Sequence, residues 1–163
     1  MMKIEPATAR DVWQVAVKMR SADYEEFSAV SFSRSRAELA EDLAARYGDR
    51  HDVLVAYRGE TPACIGGFIM ARPNVVTLLF FATDEFPHIG LGITRFIRQN
   101  LFPKLEQEGV HRFEAVSLAT HSEAHKWLGV LGLTAETGPM LDYGRDGEAF
   151  IQFAKVRDVQ DHR

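Results

Sequence analysis

The sequence is constrained most strongly by one continuous β-branched and aromatic run, Val75 to Ala82, which is apolar except for Thr77. Because polar residues do not alternate with apolar ones along it, the run is typical of a β-strand that is covered on both faces. A turn-forming segment, Arg72 to Asn74, precedes the run, and the polar segment Thr83 to His88 follows it. We therefore expect a central strand of a sheet here.

Two helices are predicted before this strand, each from a capping-box pattern at its start. Thr8 is followed by Asp11 and Ser35 by Glu38, so a hydroxyl and a carboxylate can cap each first turn. Gly48 is predicted to end the second helix from the left-handed C′ position. Apolar residues recur at helical spacing in both segments. These stripes are Val12, Val15, Ala16 and Met19, and then Leu39, Leu43 and Tyr47.

The other segments alternate between strand and helix patterns. Pro103 interrupts the helical stripe that begins after Gly90, so we expect a kink or an early stop near Leu101. An Asp-Gly turn at residues 145–147 predicts a closing hairpin. The predicted strands are Met2 to Pro6, Val53 to Arg58, Ala63 to Ala71, Phe113 to Ala119, Met140 to Gly144 and Glu148 to Val156; helices are predicted from Gly90 and from Ser122 to Gly132, with a short helix plus loop over Ser21 to Ser33.

Composition limits the classes of protein that this chain can belong to. With 163 residues and 46% apolar content, we expect a single domain over residues 1–156 and a polar tail over 157–163. The net charge is −4, and acidic and basic residues are mixed along the chain without a basic stripe, which argues against nucleic acid as a partner. Cys64 is the only cysteine, so no internal disulfide forms. No apolar run suits a signal peptide or a membrane span, and we expect a cytoplasmic protein without a membrane partner.

The predicted order of elements resembles the GCN5-related N-acetyltransferase (GNAT) superfamily over essentially the whole chain. Three segments carry the resemblance: Pro87 to Gly92, which is similar to the acyl-CoA loop; His121 to Leu133, which is similar to the late helix; and Asp142 to Gly147, which is similar to the closing hairpin. Met1 to Ile4 together with that hairpin also resembles, more faintly, the GNAT-like internal virion proteins of short-tailed phages. The resemblance implies an α+β fold with three layers, in which a mixed, mostly antiparallel sheet of six to seven strands is flanked by about four helices.

The resemblance also implies acetyl-CoA as acyl donor and an amine as acceptor. No metal is expected, because the histidines lie too far apart or on different elements. A glycine turn that leads into a helix N-terminus supplies backbone N–H donors and the positive end of the helix dipole, both of which suit a pyrophosphate. Gly90 and Gly92 leave room for close approach, and the amides of residues 88–93 are expected to converge. The pantetheine arm is expected beside the end of the central strand. The implied cofactor-binding residues are Phe81, Ala82, Thr83, His88, Ile89, Gly90, Leu91, Gly92 and Ile93.

Two positions depart from the family's pattern. Pro87 stands where the family usually has Arg or Gln, which removes a phosphate contact and a backbone donor. Leu128 stands where the family often has a tyrosine that protonates the departing thiolate, and such an acid contributes about 10²–10⁴-fold. Both departures motivate an alternative function: a catalytically weak or inactive GNAT-like binding or assembly protein, with a prophage-derived virion component as one version.

Acetylation requires a neutral acceptor amine, which is usually generated by a carboxylate, a histidine or a water chain beside the central strand. Asp84, Glu85 and His88 are candidates for the general base, and solvated loop residues are the competing interpretation of each. We select Glu85. His121, at the start of the late helix, either touches the cofactor or only caps the helix, and we carry it as the second catalytic candidate. The acceptor is expected to be set by the segments Ser21 to Ser33 and Gly138 to Gly147, and a homodimer is left open.

Overall fold

The computed structural model describes residues 2–157, which contain one mixed sheet of seven strands. Its strands are β1 (Met2–Pro6), β2 (Val53–Arg58), β3 (Thr61–Arg72), β4 (Val75–Ala82), β5 (Arg112–Leu118), β6 (Thr134–Ala135) and β7 (Phe150–Val156). Their order is β1-β2-β3-β4-β5-β7-β6, so the predicted central strand β4 is the fourth of seven. β4 pairs with β5 in parallel, whereas β1 with β2, β2 with β3, β5 with β7, and β6 with β7 pair antiparallel. The predicted α+β fold with a mixed, mostly antiparallel sheet is confirmed.

The chain is made of two compact units. The first unit consists of the residues up to 67 together with 79–93, and the second of residues 68–78 together with those from 94 onward. Residues 158–163 of the predicted polar tail lie outside the described residues. The largest fully buried side chains are Val12, Val15, Val53, Val55, Ile65 and Phe81 in the first unit and Val76, Phe113, Leu131, Leu133 and Phe150 in the second.

In the first unit the helices are α1 (Ala9–Val17), α2 (Ser21–Ala29) and α3 (Arg36–Tyr47). The capping box of α1 is confirmed: the Thr8 amide donates to Asp11 Oδ2 at 2.9 Å, and the Asp11 amide donates to Thr8 Oγ1 at 3.1 Å. At α3 only half of the box forms. The Glu38 amide donates to Ser35 Oγ at 3.1 Å, but the Glu38 carboxylate accepts from the Arg34 amide instead of closing the box.

Gly48 ends α3 as predicted, but the predicted reason is wrong. Its φ of −72° is not left-handed, and the left-handed conformation falls on the next residue, Asp49, with φ 61°. A Cβ at Gly48 would lie 2.4 Å from Ala9 Cα, which is closer than two non-bonded carbon atoms can approach. Glycine is therefore required here because α3 ends directly against the start of α1.

Helical structure continues past Pro103, so of the predicted kink or early stop near Leu101 the early stop is wrong, and the helix is instead distorted there by a π turn. α4 (Gly90–Phe96) leads into a π turn, Ile97–Leu101, and then into α5 (Phe102–Gln107). The Phe102 amide donates to Ile97 O, one residue farther back than in an α-helix, and such a bulge re-satisfies the backbone where proline lacks a donor. It also rotates Phe102 into the second unit's core, where its ring meets Phe113 at 4.7 Å. Counting α4 to α5 as one, residues 2–157 hold five helices with α6 (Ser122–Leu131), compared with about four predicted.

The closing hairpin forms only in part. Met140 makes a single bridge to Phe150, and the rest of the predicted strand Met140 to Gly144 is irregular. The main partner of β7 on that side is the two-residue strand β6, which the sequence pattern did not predict. The Asp-Gly turn itself is present, with Gly147 at φ 90° and its amide donating to Gly144 O at 3.0 Å. The residues between Met140 and Phe150 therefore form a loop that is closed at its base by the bridge between these two residues.

A four-residue ion network lies on the second unit's sheet. Arg72 Nη2 and Arg112 Nε each donate to Glu114 Oε1 at 2.6 Å, and Arg112 also donates to the Glu136 carboxylate. Burial opposes ionisation of Glu114, but the hydrogen bonds from both arginines outweigh it and lower its pKa. The hydrogen bond from Arg112 also lowers the pKa of Glu136. Both carboxylates are thus held in the ionised form.

We expect this network to make stability depend on pH in the acid range. Because the folded-state pKa of Glu114 is below its unfolded value, its contribution is complete above the ordinary glutamate pKa and is lost as the pH falls through the folded value. Urea unfolding at pH 7 is expected to show Glu114→Gln less stable than the wild type by roughly 1 kcal/mol. That difference should shrink steadily below about pH 4.5. A difference that stays constant down to the acid transition would contradict the assignment.

Candidate functional site

The candidate site begins where β4 ends in the first unit. Phe81 and Ala82 are completely buried, and Thr83 is also buried. The Phe81 ring packs edge-on against Phe27 of α2, with the centroids 5.4 Å apart. After Thr83 the chain makes a 3₁₀ turn, Phe86–His88, and enters α4 at Gly90. The predicted order of strand, polar turn and helix start is therefore confirmed.

The backbone at the end of β4 is already engaged by other parts of the first unit. The Ala82 amide donates to Asp23 Oδ2 at 2.9 Å, and the Ala82 carbonyl accepts from the Arg20 amide at 2.8 Å. The Thr83 amide donates to Ala63 O of β3 at 2.9 Å. The groups predicted to bond a pantetheine arm thus have protein partners in this structure.

The amides of residues 88–93 do not all converge as expected. The His88 amide donates to Glu85 O at 3.0 Å and the Ile89 amide to Phe86 O at 2.9 Å, so both stabilise the 3₁₀ turn. The Ile93 amide donates to Ile89 O as part of the helix. Leu91 and Gly92 occupy the first helical turn, where amides have no acceptor within the helix. A bound anion would therefore be held mainly by this first turn.

The two glycines of this turn face protein side chains. A Cβ at Gly90 would lie 3.2 Å from the Phe86 ring, and one at Gly92 would lie 2.8 Å from Met2 Cε. The Phe86 ring is fixed in turn by Phe80 at 5.3 Å and by the Arg20 guanidinium at 5.0 Å. A side chain at Gly90 would require the Phe86 ring to give way by a few tenths of an ångström, whereas the flexible end of Met2 could move aside for a side chain at Gly92.

Comparison with known proteins supports the fold at full length. No protein-family model matches the sequence, and no curated protein sequence matches it. Among solved structures, ribosomal-protein-S18-alanine N-acetyltransferase from Escherichia coli has a TM-score of 0.68 at 18% identity, covering 96% of this chain and 94% of that one. A GNAT-family acetyltransferase from Bacillus anthracis has a TM-score of 0.69 at 10% identity, covering 95% and 94%. yncA from Salmonella typhimurium, solved with its cofactor acetyl-CoA, has a TM-score of 0.67 at 18% identity, covering 97% and 95%.

This chain has the GNAT fold. At these identities the likeness establishes the fold and leaves the reaction to be argued from the site. No comparison supports the fainter resemblance to phage virion proteins. Within residues 2–157, no helix has both the length and the apolar character needed to cross a bilayer. Over the same residues, no three His, Cys, Asp or Glu side chains are grouped so that they could hold a metal ion.

On this GNAT fold, Glu85 lies in the turn after β4 but is paired. Its Oε2 accepts from Arg58 Nη1 of β2 at 2.6 Å, and its side chain is 39% exposed. The two other candidates, Asp84 and His88, are exposed. The Glu85 carboxylate is thus engaged in an ion pair with Arg58 and does not face an acceptor amine unpaired.

His121 belongs to the second unit, where it is the N-cap residue of α6. Its backbone has φ −84° and ψ 66°, and its side chain makes no capping hydrogen bond, so the interpretation that it caps the helix is wrong. Its amide donates to Leu118 O at the end of β5. A catalytic or cofactor-binding role of His121 therefore stays a prediction.

The late helix α6 carries three further side chains of interest. Leu128, at the position where the family often has tyrosine, is buried. His125 is half-buried, with Nε2 3.0 Å from Leu118 O and its ring packed on Phe153. Trp127 Nε1 donates to Thr94 Oγ1 at 2.9 Å, a hydrogen bond between two residues of the second unit.

Asp23 is the residue at this site that sequence reasoning missed. It is only 3% exposed and bonds β4 across 59 residues of sequence. Its only local signal is the spacing of Arg20 and Asp23, which places an arginine beside the carboxylate at the start of a helix. A pattern of that kind usually marks a solvated pair, and nothing in it indicates contact with the central strand.

Proposed function

We propose that this chain is an acetyl-CoA-dependent N-acetyltransferase that transfers an acetyl group to a primary amine of a small molecule or a protein. The observation that carries the proposal is the helix start at Gly90 to Gly92, which follows the central strand of a GNAT fold after one short turn segment. The amides of Leu91 and Gly92 would face the pyrophosphate, aided by the positive end of a helical segment that continues to Gln107. The net charge of −4 favours a cationic acceptor.

In the transfer, the acceptor nitrogen bonds to the thioester carbon while the carbon–sulfur bond breaks and CoA leaves as a thiolate. The amine must first lose a proton, for which Glu85 is the proposed base, and His121 stays the second catalytic candidate. Since Leu128 offers no proton to the thiolate, we propose that the leaving group is protonated by solvent or by the proton taken from the amine. Transfer would be slower for this reason, because a positioned acid usually contributes about 10²–10⁴-fold.

The proposal is tested first by binding and then by turnover. Calorimetric titration with acetyl-CoA and with CoA should give saturable heats, and acetyl-CoA should raise the melting temperature by mass action. Free thiol should then appear only in the presence of the correct amine, which a panel of polyamines, aminoglycosides and peptide N-termini would identify. The absence of both a heat and a thermal shift at millimolar acetyl-CoA would sink the proposal.

A second candidate function is a non-enzymatic binding or assembly protein with a GNAT fold. It is favoured by the engaged backbone of Ala82, together with Pro87 and Leu128 at family motif positions. This candidate predicts no acyl-CoA binding by any variant and a stable complex with another protein or with a second copy of the chain. Light scattering of the purified chain would detect a homodimer directly.

A further inference from the structure

The end of β4 extends beyond its pairing with β5. The parallel ladder joins Val75, Val76 and Thr77 to residues 112–114, whereas β4 continues to Ala82. A strand that runs past its neighbour can be extended by any chain with backbone-like amides, which adds alongside it through hydrogen bonds. The pantetheine arm of an acyl-CoA is such a chain. The inference that follows rests on the proposed function.

At Ala82 the backbone groups that such a chain would bond are already bonded to the protein itself. Both backbone groups of Ala82 are bonded to the start of α2: the amide to the carboxylate of Asp23 in the first turn, and the carbonyl to the amide of Arg20, which precedes the helix. Arg20 Nε and Nη2 also donate to the two oxygens of Asp23 at 3.0 and 3.1 Å. The arginine thus fixes the carboxylate that holds the strand.

We propose that Arg20 and Asp23 form a latch on β4 that an acyl-CoA arm has to open before it can bond Ala82. An arm that adds along β4 needs the Ala82 amide as a donor and the Ala82 carbonyl as an acceptor, and the latch uses both. The bond from the Ala82 amide ends on a carboxylate, and bonds to charged groups are stronger than those between neutral groups. Asp23 is therefore a positioning residue that sets the affinity for the donor.

The decisive variant is Asp23→Ala, which frees the Ala82 amide. Because the arm no longer displaces a charge-assisted hydrogen bond, the dissociation constant for acetyl-CoA should fall roughly tenfold relative to the wild type. The backbone bond between Arg20 and Ala82 persists in this variant, which limits the gain. Glu41→Ala is the matched control, since it removes an exposed carboxylate from α3 in the same unit. It should bind acetyl-CoA as the wild type does.

Asp23→Ala also removes the partner of a half-buried arginine and is expected to lower stability. Circular dichroism and thermal unfolding show whether it folds. If it does not, Asp23→Asn takes its place, because the neutral amide oxygen is a weaker acceptor of similar size. A smaller tightening, of roughly threefold, is expected for it.

Calorimetric titration with acetyl-CoA separates the outcomes. Tighter binding by either Asp23 variant, or binding by the variant alone, supports the latch. Equal or weaker binding by a folded variant, when the wild type binds, overturns the latch and leaves the proposed function standing. No binding by the wild type or by any folded variant overturns the proposed function and the latch together.

Discussion

Leu91→Glu is expected to weaken acetyl-CoA binding at least tenfold while leaving the fold as stable as the wild type or slightly more so. Leu91 is the second residue of α4 and its side chain is 73% exposed, so a glutamate there meets no packing obstacle. An acidic side chain in a first turn interacts favourably with the helix dipole by about 0.3–1 kcal/mol. The same charge repels a diphosphate that is bound to the amides of that turn.

The opposite signs of the two effects make this variant informative. Calorimetric titration with acetyl-CoA measures the loss of affinity, and urea unfolding of the unliganded protein measures the change in stability. Leu91→Gln has nearly the same size without the charge, and it should bind within a fewfold of the wild type. If Leu91→Glu bound acetyl-CoA as tightly as Leu91→Gln does, the diphosphate would not lie at this helix start.

The features that the sequence predicted correctly are encoded locally. The bounds of β4 follow from one continuous β-branched and aromatic run, and the start of α1 follows from Thr8 and Asp11, which bond each other. The end of α6 follows from Gly132, whose φ of 99° suits glycine. In each case the residues that carry the pattern are also the residues that make the contact, so the pattern is sufficient.

The features that were missed depend on partners distant in sequence. Gly48 is needed because of Ala9, and the two-residue strand β6 exists because β7 offers it an edge. A strand of only two residues, such as Thr134–Ala135, is too short to be predicted from its length or its composition. The π turn before Pro103 accommodates the proline and also allows Phe102 to be buried. A pattern of apolar residues counted at α-helical spacing cannot predict such a turn.

The candidate site shows the same division. The helix start at Gly90 was predictable, but the packing of Met2 and Phe86 against its glycines was not. The contact of Asp23 with Ala82 was equally hidden, because an acidic residue at a helix start has an ordinary explanation in the helix itself. The hydrogen bonds that decide whether β4 is open to a ligand are thus non-local.

Gly67→Ala is expected to cost the fold about 3 kcal/mol. Gly67 lies in β3 opposite Val53 of β2, and a Cβ there would lie 2.2 Å from the carbonyl oxygen of Asp52. That obstacle is backbone within a paired strand, so neither rotation of a side chain nor a small adjustment relieves it, and overpacking of this kind costs about 1–3 kcal/mol or more. For a domain of this size the melting temperature should fall by roughly 6–12 °C.

Gly129→Ala is the matched control, because it makes the same chemical change where no steric obstacle exists. Gly129 lies within α6, and no atom lies within 4 Å of a Cβ placed there. Alanine in a helix interior is favoured over glycine by about 0.5–1 kcal/mol, so this variant should melt slightly above the wild type. Differential scanning calorimetry of the two variants would contradict the close approach of β3 to Asp52 if Gly67→Ala melted within about 2 °C of the wild type, since about 3 kcal/mol corresponds to several degrees.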